Sequence, residues 1–221
     1  MLLALTLCVG AQATENTMLK VGLKYGTNAL FTARLQNYND TLSGSGYEFG
    51  YYDADRSFVP LAATDEQRIT VTVDSNAYVS GGVCYETRPT NYSTILGAYH
   101  IELLTAFGSY EEALAVAQSY PKGFVAYIDG AYRVRVGNHA SYDESARVLL
   151  ETDVLAYGAQ VVTPSSTGVV VSVTDTDTVL FEFDCSGLRS LGVRPRSVSG
   201  EKTVTWFSGY RYYGGFEYQR T

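Results

Sequence analysis

The chain has 221 residues, 46% of them hydrophobic and 18% charged, with a formal net charge of −7. That apolar content supports one good core or two small ones, and the acidic balance argues against nucleic acid, whose phosphates need dense positive charge. Two histidines, His100 and His139, stand without a ligand cluster, so neither a metal nor a cofactor is expected.

Residues 1–13, MLLALTLCVGAQA, join an apolar run to Ala11-Gln-Ala13, a small-x-small cleavage signature. The run is short of the ~18–20 residues that a membrane span requires. Leu7 stands before Cys8 where a lipoprotein anchor needs a small residue. Although no Lys or Arg precedes Lys20, the segment is predicted to be a signal, and the chain to be extracytoplasmic, secreted or attached to the cell envelope.

Residues 17–94 read as β-rich. MLKVGLKYG and QRITVTVDS alternate like half-buried strands, with GSGYEFGYYDADRSFVPL as a hairpin between them. Gly44, Gly46 and Gly50 have the wrong spacing for a dinucleotide fingerprint. Asp53 and Asp55 lack the glycine and distal glutamate of a calcium loop.

Residues 95–164 write strand–helix–strand twice, which predicts a β-α-β-β-α-β module, the split βαβ arrangement, expected to fold alone. Ser109-Tyr-Glu-Glu112 and Ser141-Tyr-Asp-Glu144 match the helix capping box. Ala113, Leu114, Ala117 and Tyr120 fall at helical spacing, as do Ala146, Leu149, Leu150 and Val154. Asp129-Gly130 is a two-residue hairpin signal. The module's acids outnumber its bases eight to four, which argues against an RNA-recognition sheet.

The pieces YHIEL, Ala106-Phe107, Ala113, YRVRVG and AQVV resemble a sporulation-related repeat (SPOR) domain. The resemblance implies binding to peptidoglycan glycan strands stripped of their stem peptides. Glu102 replaces the glutamine usual in that family's first strand, and one extra residue lies between Leu103 and Phe107.

Residues 165–221 return to short strands: GVVVSV, TVLFEFD, KTVTWFSGY and GGFEYQR. VGLKYG, GSGYEFGYYDADRSFVPL and YRYYGGFEYQRT resemble the opening of a stage II sporulation protein D / LytB-type domain. That resemblance implies that the two flanks pack together around the inserted module. It also implies that the domain is incomplete, the family's glutamate-bearing catalytic segment having no match before Thr221. The predicted class is α+β. Cys84 and Cys185 bracket the module and are a possible disulfide in an exported chain.

Alternation places Tyr132, Val134 and Val136 toward the helices and Arg133 and Arg135 on an open face. It also puts His100 and Glu102 outward in the first strand, Val125 and Tyr127 in the second, and Gln160 and Val162 in the fourth. An aromatic such as Tyr127 can pack against a sugar ring, Glu102 and Gln160 can bond hydroxyls, and arginine forks can hold lactyl carboxylates. Phe107 would wall one edge. The ordinary alternative is a surface ion pair between Glu102 and an arginine, worth ~0–1 kcal/mol. No nucleophile elbow or acid–base pair is evident, so no catalysis is expected from these residues. The expected function is binding of peptidoglycan glycan through His100, Glu102, Phe107, Tyr127, Arg133, Arg135 and Gln160. Two alternatives stand: the N-terminal piece of a peptidoglycan-cleaving or amidase-enhancing enzyme, and a scaffold that holds a protein partner.

Overall fold

The computed structural model describes residues 20–37, 44–152, 158–197 and 203–220. The predicted signal segment at 1–13 and Val154 lie outside the described residues. In chain order the strands are β1 (Thr32–Gln36), β2 (Tyr47–Tyr52), β3 (Phe58–Thr64), β4 (Arg68–Val73), β5 (Ala77–Ser80), β6 (Val83–Tyr85), β7 (Thr94–Leu96) and β8 (Tyr99–Leu103). Helix α1 (Tyr110–Ala117), strands β9 (Gly123–Ile128) and β10 (Ala131–His139), helix α2 (Tyr142–Glu151) and β11 (Ala159–Val162) follow. The chain continues with β12 (Val169–Val173), β13 (Val179–Asp184), β14 (Leu191–Pro195), β15 (Val204–Phe207), β16 (Tyr210–Tyr213) and β17 (Phe216–Tyr218).

The predicted α+β class is corrected: the chain is mostly β, with two short helices against seventeen strands among the described residues. The reason lies in how the strands join. Those of residues 95–164 are not a sheet of their own, because β9 pairs in parallel with β13 and carries the hydrogen-bonded ladder into the flanks. The result is one ten-stranded sheet in the order β11-β8-β10-β9-β13-β12-β4-β1-β15-β16. The flanks pair with each other, β4 with β12, β1 with β15 and β2 with β14.

Local chemistry accounts for the two helices. Ser109 Oγ accepts from Glu112 N and Ser141 Oγ from Glu144 N. The two glutamates reach back one residue further than in a standard capping box, accepting from Gly108 N and Ala140 N. Between the repeats, Asp129 and Gly130 both take positive φ, as the two-residue turn requires. Ala113 and Ala117 are fully buried, whereas Leu150, expected in the apolar stripe of α2, is exposed.

Two layers cover the large sheet. On one side Ile101, Leu103, Val125, Val134, Phe181 and Phe183 form a continuous apolar surface with Val169 and Val171. Helix α1 and a four-stranded sheet, β17-β14-β2-β3, close over it. Phe49 stacks on Phe181 at 5.6 Å and Leu191 and Val193 are fully buried, so burial of each contributes about 1.5–3 kcal/mol. The other side of the sheet is polar. A three-stranded sheet, β6-β5-β7, covers its middle by packing Ala77 and Leu96 on Val170. Between β7 and β8 the chain passes close to the end of β10 at Gly97, where a Cβ would stand 2.1 Å from the His139 carbonyl oxygen.

Candidate functional site: the polar face of the sheet and its open end

Strand pairing corrects the expected site. Arg135 stands opposite Glu102, and Gln160 is next to Glu102 on the following strand, so these three do share a face. That face is closed at its centre. His100, Glu102 and Arg135 are buried, Arg133 is half-buried with Nη1 donating to the Leu104 carbonyl, and only Gln160 is exposed. Tyr127 and Val125 are on the opposite side from their expected position, because Tyr127 pairs with Tyr132 and Val125 with Val134. Tyr127 packs between Tyr132, at 5.1 Å, and Phe183, at 6.2 Å. Phe107 bridges to Tyr132 and packs against the same apolar core. The seven expected residues therefore do not form one exposed surface.

Two of them, Glu102 and Arg135, form instead a buried charge network with Glu182. Arg135 donates from Nε to Glu102 at 2.8 Å and from Nη1 to Glu182, a fully buried carboxylate on β13. Burial works to lower the Arg135 pKa, but the two carboxylates outweigh it and hold the guanidinium above its ordinary range. Asp74, at the end of β4, accepts from Ser165 N at 2.6 Å. Its carboxyl is pushed up to about 8, by burial first and by Glu182 second. Ser165 and Thr167 both donate to Asp184, so the strap 163–168 is fastened to the sheet by two acids. Burial lowers the His100 pKa, and its Nδ1 lies 2.7 Å from the Gly137 carbonyl oxygen. A neutral ring donating from Nδ1 satisfies that contact.

The possible disulfide is also corrected. Cys84 and Cys185 are free thiols. Cys185 is buried in the main apolar core, while Cys84 packs with the small cluster on the other side of the large sheet. Burial pushes both thiols up, which disfavours the reactive thiolate.

The polar face reopens at the far end of the sheet. Pairing places Arg34 opposite Thr70, and Gln36 opposite both Arg68 and Trp206. A groove of about 260 Å3 opens there, lined by Arg34, Gln36, Arg68, Thr174, Trp206 and Ser208. Asp175 holds Arg34 through both carboxylate oxygens, at 2.8 and 2.7 Å. The Arg211 guanidinium lies 4.4 Å from the centre of the Trp206 ring. An indole beside guanidinium, amide and hydroxyl groups can pack a sugar ring and bond its substituents. None of these residues was singled out from sequence. Alternation in QRITVTVDS already separated Arg68 and Thr70 from Ile69 and Val71, but only pairing brings β1, β4 and β15 side by side.

No family model, curated protein or solved structure matches the chain. No helix among the described residues is long and apolar enough to cross a membrane.

Proposed function

We propose that this chain is an exported cell-envelope protein that binds peptidoglycan glycan, preferring strands stripped of stem peptides, and that the groove beside Trp206 receives the strand. The observation that carries the reading is the groove itself, where the otherwise covered polar face reopens around an aromatic ring, two arginines and an amide. The sequence resemblance of residues 95–164 to SPOR domains supplies the substrate class. The buried Glu102–Arg135–Glu182 network then has a structural role, holding β8, β10 and β13 in one sheet.

The purified protein is expected to sediment with peptidoglycan sacculi, and more strongly after an amidase has removed the stem peptides. Trp206→Ala should weaken that sedimentation while Gln160→Ala, at the other end of the large sheet, should not. Equal sedimentation with treated and untreated sacculi would remove the preference for stripped strands. Failure to sediment with either would remove the function.

A further inference from the structure

The groove is cationic in a chain whose net charge is −7, and its two guanidiniums are not equivalent. Arg34 is committed: Nη2 bonds both oxygens of Asp175, and Nη1 donates to the Gly82 carbonyl. Arg68 stands 3.6 Å from the same carboxylate, outside hydrogen-bonding distance, and half its side chain (51%) is exposed. One carboxylate thus faces two guanidiniums, and Asp175 is not among the groove's lining residues. Arg211, held over Trp206, adds a third positive charge beside the groove. By contrast, Arg194 and Lys122 each bond a carboxylate directly, Glu48 and Asp177 respectively.

We infer that the groove selects a sugar bearing a free carboxylate and that Arg68 is the residue that binds this carboxylate; the inference rests on the glycan-binding reading above. A guanidinium presents two parallel N–H donors that match the two oxygens of a carboxylate, a geometry an ammonium cannot reproduce. Arg68 reaches this arrangement without breaking a hydrogen bond to Asp175, whereas Arg34 would have to give up two. Arg34 and Asp175 therefore position the groove wall, and Arg68 sets specificity. Removal of a stem peptide frees an acid from an amide, so the stripped strand gains the group that Arg68 recognises. Attraction at an exposed site also weakens as salt is added.

The test compares glycan strands freed of peptide by an amidase with the same strands after their carboxyls are reduced to alcohols. Wild-type protein should bind the native strands at least ~tenfold more tightly, with a difference that shrinks as salt rises. Arg68→Ala should abolish that difference while leaving the weaker binding of reduced strands in place, and Arg68→Lys should restore only part of it. An unchanged thermal midpoint for Arg68→Ala confirms that the fold is intact, as its exposure leads one to expect. Equal wild-type affinity for native and reduced strands overturns the inference but not the glycan reading. So does a uniform loss of both affinities in Arg68→Ala. Binding of neither strand by the wild type overturns both.

Discussion

Arg135 shows how far the role of a residue depends on what covers it. On an open sheet its pairing with Glu102 would be worth ~0–1 kcal/mol and be screened by salt. Here Glu182 is fully buried and Glu102 nearly so, and removing the cation strands two carboxylates away from water. Arg135→Ala is expected to cost about 3–5 kcal/mol in urea denaturation, whereas Arg133→Ala should cost less than ~1 kcal/mol. Equal losses from the two substitutions would mean that the network is not the buried unit described. Asp74 gives the network a pH dependence. Its folded-state pKa, about 8, is above the ordinary carboxyl value of 3.8, so the folded protein binds this proton more tightly than the unfolded chain. Stability therefore falls as pH rises from about 4 to about 8, by up to ~1.4 kcal/mol per pH unit for one proton. Asp74→Asn keeps an acceptor for Ser165 N and cannot ionise. It should flatten that slope and raise the thermal midpoint at pH 8 relative to wild type. A wild-type slope retained in the substituted protein would assign the dependence to another group.

At the scale of elements, the most legible features are those decided by neighbours in sequence. Both helix starts follow from a serine and a glutamate three residues later, and the Asp129-Gly130 turn joins β9 to β10 as its residues predict. That turn also contains the register that alternation alone misses. A two-residue loop pairs Ile128 with Ala131, which sets Tyr127 against Tyr132 and Val125 against Val134. Counting outward from the turn, instead of assigning each strand separately, places Tyr127 on the apolar side. The exposure of Leu150 has no comparable signal, because helical spacing marks a stripe but not where the helix loses its cover.

For the molecule as a whole, the parallel pairing of β9 with β13 decides whether residues 95–164 are a separate body. Excision would leave β9 an unpaired edge, remove Phe183 from Tyr127 and remove Glu182 from Arg135. The isolated segment is thus expected to unfold well below the full chain, with poor dispersion of its amide resonances by NMR. A segment as stable as the whole protein would show that the module is autonomous and the shared sheet incidental.

By itself the sequence determined the repeat's strand–helix order, its caps, its hairpin and the two-sided character of each strand, since these depend on residues within about ten positions of one another. Tertiary structure alone decided which strands became neighbours. Parallel pairing of β9 with β13 joined the C-terminal flank to the repeat, and packing of Ala77 and Leu96 on Val170 covered the middle of the polar face. Pairing of β1 with β4 and β15 left Arg34, Arg68 and Trp206 together at an open end. A period of two states which side of a strand a residue occupies, but not what lies across from it. Whether that side meets solvent is decided by the layer packed on it, and here that layer comes from strands remote in sequence from the residues it buries.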